Sequence, residues 1–367
     1  MGYWSQMRAA DFIEFNPRLS IKKGAVATKI AMDKLKPFTK KIPETEKAEF
    51  GGGSKFCNGD TIMARITPCL ENGKTAFVDI LEDNEIAFGS TEFIVMRARE
   101  GISDPQFVYY LATSPMFRNV AIKSMGGSSG RQRVQQSVLD ELELTVPSLE
   151  KQKQIGSFLA LLDKKIAVNN EINDNLQQQA QAIYASMFID NADPAWVQGH
   201  LSDLITVKYG KDHKKLADGS YPVYGSGGIM RYVERPLYDK ESVLIPRKGT
   251  LNNVMYVNQP FWSVDTMFYT EMRLPNVAKF VYHFVKAKDL ASMNAGSAVP
   301  SMTTDILNAM EVAIPSASAL EEFEALVSPI YKAMQENDNQ SKTLAKQRDA
   351  LLPKLMSGEI DVSAIQL

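Results

Sequence analysis

SLEKQKQIGSFLALLDKKIAVNNEINDNLQQQAQAIYASMFI, residues 148–189, reads as one long amphipathic helix with no proline and no interior turn signal. Apolar residues return at Ile155, Leu159, Leu162 and Ile166, then at Ile172, Leu176, Ala180, Ile183 and Met187. Steps of three and four residues place these side chains on one face. The interval between the two runs holds Asn169 and Asn170, polar residues on an apolar seam, which cost stability and can fix register. A helix of this length with a single apolar stripe needs a partner helix.

The other end of the chain supplies one. Residues 318–356 open with Ser318-x-x-Glu321, a capping-box pattern, and carry a seam of Leu320, Phe323, Val327, Ile330, Met334, Leu344, Leu351 and Leu355. Asn337, Ser341 and Arg348 fill the skipped positions. Pro329 is expected to kink the early part of this helix and Pro353 to disturb its last turn. Paired antiparallel, two helices of about 38 residues would run ~57 Å and act as a spacer. The alternative on pattern alone is that each helix packs only on its own neighbouring region.

The regions between the helices repeat. In residues 1–147, TIMARI (61–66), KTAFVDIL (74–81) and EFIVMRA (92–98) have strand character. A helix over 106–121, broken near Ser114–Pro115, leads to the small-residue basic loop SMGGSSGRQRV (124–134) and to LDELELTVP (139–147). Residues 194–314 run through the same events: VLIP (243–246), NVMYV (253–257), MFYTEMRL (267–274), a helix at 278–288, the loop NAGSAVPSM (294–302) and DILNAMEVAIP (305–315). Phe107-Val108-Tyr109 matches Phe280-Val281-Tyr282, and Glu143-x-x-x-Pro147-Ser148 matches Glu311-x-x-x-Pro315-Ser316. The order is lobe, helix, lobe, helix, with a pseudo-twofold internal repeat. The boundaries are 1–147, 148–190, 191–314 and 315–367.

Composition bounds the class. With 367 residues, 44% hydrophobic and 23% charged, the chain reads as an ordinary globular protein of two or three domains. No run reaches the ~20 apolar residues a membrane span needs, and the N-terminus has no signal-peptide pattern, so the expected compartment is the cytoplasm with no membrane partner. Cys57 and Cys69 are a poor disulfide framework, and His200, His213 and His283 have no metal-ligand spacing. The net charge of −2 conceals a split: residues 1–147 and 194–314 are slightly basic, and the two helical segments hold the acidic excess. Charge therefore permits nucleic-acid binding without demanding it.

Taken together, this layout resembles the specificity subunit of type I restriction–modification systems. The resemblance rests on GGGSKFCNGDTIMARITPCLENGKTAFV (51–78), FGSTEFIVMR (88–97) and GGSSGRQRV (126–134) in the first lobe. In the second it rests on YPVYGSGGIMRYV (221–233), VLIPRKGTLNNVMYV (243–257) and PFWSVDTMFY (260–269). PSLEKQKQI (147–155) and LLPKLMSGEIDV (351–362) resemble the family's helix start and C-terminal ending, whereas ALEEFEALVSPI (319–330) departs from its usual glutamine–lysine run. The resemblance implies an α+β fold with two mixed α/β target recognition lobes separated by an antiparallel pair of long helices. It also implies a non-catalytic chain that recognises a two-part double-stranded DNA target and docks two adenine methyltransferase subunits, which translocating nuclease subunits can join. S-adenosylmethionine, ATP and magnesium are then expected on those partners, with no cofactor on this chain.

Candidate DNA-contacting residues follow from side-chain chemistry. In the first lobe, Ser129, Arg131, Gln132 and Arg133 lie in a glycine-rich loop, where Arg and Gln can pair bidentately with guanine and adenine edges. Arg65 and Lys74 could hold phosphates while Thr67 and Asn72 touch bases, and Ser54 and Lys55 open the same stretch. In the second lobe the counterparts are Arg247, Lys248, Thr250 and Asn252, with Ser297 in the small-residue loop. Tyr224, Ser226 and Arg231 come from a glycine-rich run that lacks the lysine of a phosphate loop and is expected to be flexible. Ser90-Thr91-Glu92 and Asp265-Thr266 are expected to be structural. No methyltransferase tetrad, HExxH or GxSxG is present, and Asn191-Ala-Asp193-Pro194 lacks the second proline of the tetrad. The competing class, a coiled-coil scaffold with two ligand- or protein-binding lobes, accounts for the helices but not for the repeated basic loops.

Overall fold

Both apolar stripes form the helices expected of them, Leu149–Ala185 and Ala317–Ser357. The computed structural model describes residues 4–128, 130–293 and 301–362. It divides into two units, Met1–Glu171 with Asn337–Leu367, and Ile172–Glu336, each holding part of both helices.

Three details of the helices differ from the sequence expectation. The distal helix is capped by Ser316, whose hydroxyl accepts from the Ala319 amide at 3.2 Å, so Ser318 lies inside the first turn. The helix also runs through Pro329 and Pro353. Both prolines are exposed, so water can satisfy the carbonyl groups they leave without a donor. On the central helix, Asn169 is fully buried but Asn170 is exposed, and Ile172 is 40% exposed. The seam runs 162, 166, 169, 173, 176, 180, alternating steps of four and three, which turns Asn170 and Ile172 off the contact face.

In the first unit the two helix segments pair antiparallel. Asp163 faces Arg348 (Oδ1 to Nη1 2.5 Å), and the Asn169 amide nitrogen lies 3.3 Å from the Asn337 carbonyl, 2.8 Å from Gln340 Oε1 and 3.2 Å from Ser341 Oγ. Asn169 and Asn337 are separated by 168 residues, the spacing of Glu143 and Glu311, so a residue touches its own repeat-equivalent. The first lobe packs on this pair through Phe107, Tyr110 and Phe117, which share a core with Ile155, Leu159, Leu352 and Leu355. The Tyr110 hydroxyl donates to Asp163 at 2.5 Å and accepts from Lys40 at 3.3 Å. Lys40 lies among the rings of Phe77, Tyr109 and Tyr110, and burial lowers its pKa to about 8.

The second unit repeats the plan with different polar groups. Asn173 donates to the Met334 carbonyl at 3.1 Å, and Tyr184 and Phe188 pack edge-on against Phe323, again antiparallel. Phe280 of the lobe helix Ala278–Lys286 joins this aromatic cluster, 4.8 Å from Phe188. His283 is fully buried: its Nδ1 faces Gln181 Oε1 at 2.7 Å and its Nε2 faces the Tyr331 hydroxyl at 2.9 Å. A neutral ring that donates to Gln181 and accepts from Tyr331 satisfies both contacts.

The lobes share a scaffold. Each begins and ends in an antiparallel strand pair, Trp4–Arg8 with Glu143–Pro147, and Val197–His200 with Glu311–Ile314. Each then has a four-stranded antiparallel sheet of one strand order. In the first it is Ile13–Phe15, Phe93–Ala98, Thr61–Ala64, Thr75–Phe77; in the second Ile205–Tyr209, Met267–Met272, Ser242–Pro246, Met255–Val257. The lobes differ in their smaller sheets. The first is built on Val26–Ile30 and Ala87–Gly89, the second on Asp218–Gly225, Gly228–Val233 and Trp262–Ser263. In the first lobe the helix breaks at Ser114, which caps Pro115–Lys123.

Two outcomes follow. Burial lowers the His283 pKa from 6.5 to about 4, so the unfolded chain binds a proton the folded unit refuses. Stability of the second unit is therefore expected to fall by about 3 kcal/mol as pH drops from about 6.5 towards 4. His283→Phe should lower stability at pH 7 yet flatten that slope, as read from denaturant unfolding at several pH values. In the first unit, Asp163→Asn leaves the largely buried Arg348 with only Asp349 as acidic partner. A loss of about 3 kcal/mol is expected, seen as a lower urea midpoint.

Candidate nucleic-acid interface

Each lobe ties an arginine-bearing loop to a later loop by equivalent backbone hydrogen bonds. In the first, the amide of Val134 donates to the Arg65 carbonyl at 2.8 Å, the Arg65 amide to Glu92 at 2.9 Å, and the Thr67 amide to Gln132 at 3.0 Å. In the second, the Met302 amide donates to the Arg247 carbonyl at 2.9 Å and the Arg247 amide to Thr266 at 2.9 Å. Lys248 forms a bridge with Ser301, as Ile66 does with Arg133. The loop after Thr61–Ala64 in the first lobe, and after Ser242–Pro246 in the second, is thus stitched to a segment that precedes the closing strand.

Side chains within these loops divide into free and committed groups. Arg131 and Asn72 are exposed, with no side-chain partner among the described residues, and the same holds for Lys248 and Thr250. Gln132 is half-buried, its carbonyl taken by Thr67. Arg133, by contrast, grips Glu92 with both Nε (2.9 and 3.0 Å) and Nη2 (2.7 Å). That hydrogen bonding lowers the Glu92 pKa and raises that of Arg133. Arg65 reaches only the Val134 carbonyl at 3.4 Å, and its Nε is buried without a partner among the described residues. Arg247 lies over the Tyr209 ring at 5.4 Å.

Other predicted contacts serve the lobe. Lys74 donates inward to the Met32 carbonyl at 2.9 Å, and Thr67 bonds to Glu71 at 2.9 Å beside a cis Thr67–Pro68 bond. The Ser54 hydroxyl donates to the Phe93 carbonyl at 3.0 Å, and the Lys55 ammonium lies 5.2 Å from the Phe50 ring centre. Asn252 holds a neighbouring turn through Asp289 and the Ala291 amide, both at 3.0 Å. The glycine-rich run of the second lobe is a tight β-hairpin, not a flexible loop: Gly225 pairs with Gly228. Its Tyr224 is 9% exposed and belongs to the same core as Val223 and Phe261, at a register shift of the hairpin between Val223 and Tyr224. Arg231 is tied to the Leu216 carbonyl at 3.0 Å and to Asp218 at 2.7 Å, and Ser226 lends its carbonyl to Asn253. Ser129 and Ser297 lie outside the described residues.

Sequence reasoning missed the residues that hold the loops. Arg118 donates to the carbonyls of Leu70 (3.3 Å) and Glu71 (2.7 Å) and lies over the Phe38 ring at 5.2 Å. The Phe38 amide in turn donates to the Gly73 carbonyl at 3.0 Å. Glu92 and Asp218 were also missed as partners for Arg133 and Arg231. The first of these pairs spans 41 residues and leaves no local signal. A cavity of about 530 Å³ lined by Tyr238, Glu241, Glu271 and Asn276 contains none of the candidate residues.

The comparisons with known proteins agree on one family. A model of the type I restriction modification DNA specificity domain matches residues 55–178 and again 195–351. Over 303 residues the chain is 22% identical to the type I restriction enzyme MjaIX specificity subunit of Methanocaldococcus jannaschii, covering 71% of this chain and 70% of that protein. It is 33% identical over 136 residues to the type I restriction enzyme HindI specificity subunit of Haemophilus influenzae, covering 36% of this chain and 28% of the relative. The crystal structure of a type I restriction-modification system S subunit from M. genitalium matches with a TM-score of 0.58 at 16% identity over 96% of each chain, a likeness of fold.

Arg118→Ala should loosen the 65–74 loop rather than the lobe. Amide exchange at Asn72, Gly73 and Lys74 is expected to accelerate, with about 1–3 kcal/mol lost locally, measured by hydrogen exchange with mass spectrometry.

Proposed function

This chain belongs to the type I restriction-modification DNA specificity family, and we propose that each of its lobes reads one half of a bipartite double-stranded DNA target. The observation that carries this reading is the repeated stitching of an arginine-bearing loop to the segment before the closing helix and strand, Arg65 to Val134 and Arg247 to Met302. Two equivalent cationic edges on one chain suit a target in two parts. In this reading Arg131 and Lys248 are the leading contacts because they are exposed and uncommitted, while Arg133 and Arg231 must first leave their carboxylates. The long helices dock two adenine methyltransferase subunits, and restriction subunits join that complex. The chain itself is non-catalytic and acts in the cytoplasm. S-adenosylmethionine, ATP and magnesium belong to the partners. A scaffold with two unrelated ligand-binding lobes would not need the same loop stitching twice.

Co-expression with a type I modification subunit and mapping of methylated adenines tests this. A two-part motif is expected. Arg131→Ala should relax one half and Lys248→Ala the other, each at a cost of about 1–3 kcal/mol where a base contact is lost. A one-part motif, or loss of both halves together in either variant, would count against the proposal.

A further inference from the structure

Beside the second lobe's basic loop stands an apolar side chain that no polar contact explains. The hairpin of Asp218–Gly225 and Gly228–Val233 forms one edge of its sheet. Its tip is fastened to the basic loop: Asn253 Nδ2 donates to the Ser226 carbonyl at 2.8 Å. A Cβ on Gly249 would come within 2.6 Å of the Ser226 hydroxyl, so the Gly249 backbone lies directly against the Ser226 side chain. Two residues beyond the tip, Met230 is 60% exposed, with Ile229 at 43%. A Cβ on Gly225 would lie 2.5 Å from the Met230 sulfur, so the thioether rests against bare backbone. An exposed methionine held on the hairpin whose tip meets Gly249 and Asn253 has no role in the lobe's core.

We propose that Met230 reads the C5-methyl group of a thymine in the DNA half-site taken by the second lobe. The inference rests on the DNA-reading role of that lobe and adds a specificity residue to it. The argument is chemical. Lys248 and Thr250 can hydrogen-bond to base edges, but a thioether gains nothing from groups of that kind. In the major groove the one apolar group that a base presents is the thymine methyl. Methionine suits such a contact because its unbranched, polarisable chain adapts to the shape it meets. Covering one methyl is expected to favour thymine over a base without it roughly fourfold.

Uracil tests this directly, since it keeps every hydrogen-bonding group of thymine and lacks only the methyl. The complex of this chain with its modification subunits would select from a randomised duplex library amplified with either thymidine or deoxyuridine triphosphate. The wild type is expected to prefer thymine at one position or more of one half-motif in the first library, and to lose roughly fourfold of that preference in the second. Met230→Ala should show the weakened preference in both libraries, Met230→Leu should restore it, and the other half-motif should stay unchanged, which reports that the variants are folded. Identical motifs from the two libraries with wild type, or an unaltered motif with Met230→Ala, would overturn the proposal. Selection of no motif at all would defeat the DNA-reading role itself, and this contact with it.

Discussion

Asn169 is sealed from water, and its amide nitrogen finds partners across the helix seam while its Oδ1 has none among the described residues. In the first unit one alignment supplies them: the Asn337 carbonyl, Gln340 and Ser341. Sliding one helix by a turn would set the amide against other side chains and leave buried polar groups unpaired, at about 1–3 kcal/mol each. The same alignment sets Asp163 opposite Arg348, and it brings Leu352 and Leu355 to the core that Ile155 and Leu159 share with the lobe helix. Apolar stripes alone would tolerate several alignments. The buried asparagine selects among them, which is how polar groups on helix seams act elsewhere.

A common plan carries two chemistries where lobe meets helix. Tyr110 and His283 follow the matched Phe-Val-Tyr segments at the same step, and each bonds to the helix that follows its own lobe, at Asp163 and at Tyr331. The first station is ionic, closed by Arg348; the second is neutral, closed by Gln181. The first therefore owes its strength to a charge pair with little access to solvent, and the second to a histidine kept unprotonated. Each solution satisfies its buried groups, and neither needs the other's residues.

Periodicity made the helices and the repeat legible, because spacing of three and four is a local property of sequence. The strands between them were legible where they are mostly apolar, as in Thr61–Ala64 and Ser242–Pro246, both buried at every position. Trp4–Arg8 and Val197–His200 were not, since their pairing with the closing strands spans the whole lobe. Tyr224 misled for a similar reason: glycines around it suggested a loop, but cross-strand pairing turned them into a hairpin and its ring into core. Lys74 looked like a phosphate ligand because sequence gives its charge and not its direction, which is towards the Met32 carbonyl. Arg131 and Lys248 are exposed, each directly beside a glycine.

The bidentate Arg133–Glu92 pair and the Arg231–Asp218 pair have a thermodynamic consequence for any polyanion that approaches these lobes. Duplex DNA holds condensed cations, and a protein cation that displaces one gains the entropy of its release. Arg131 and Lys248 can collect that gain in full. Arg133 and Arg231 must first be parted from a carboxylate that already neutralises them, and the bared carboxylate then repels the phosphate. Their engagement depends on a hydrogen-bonding match good enough to repay that exchange, which a generic backbone does not offer. Built-in counterions of this kind therefore weaken adhesion to arbitrary DNA more than binding to the right sequence.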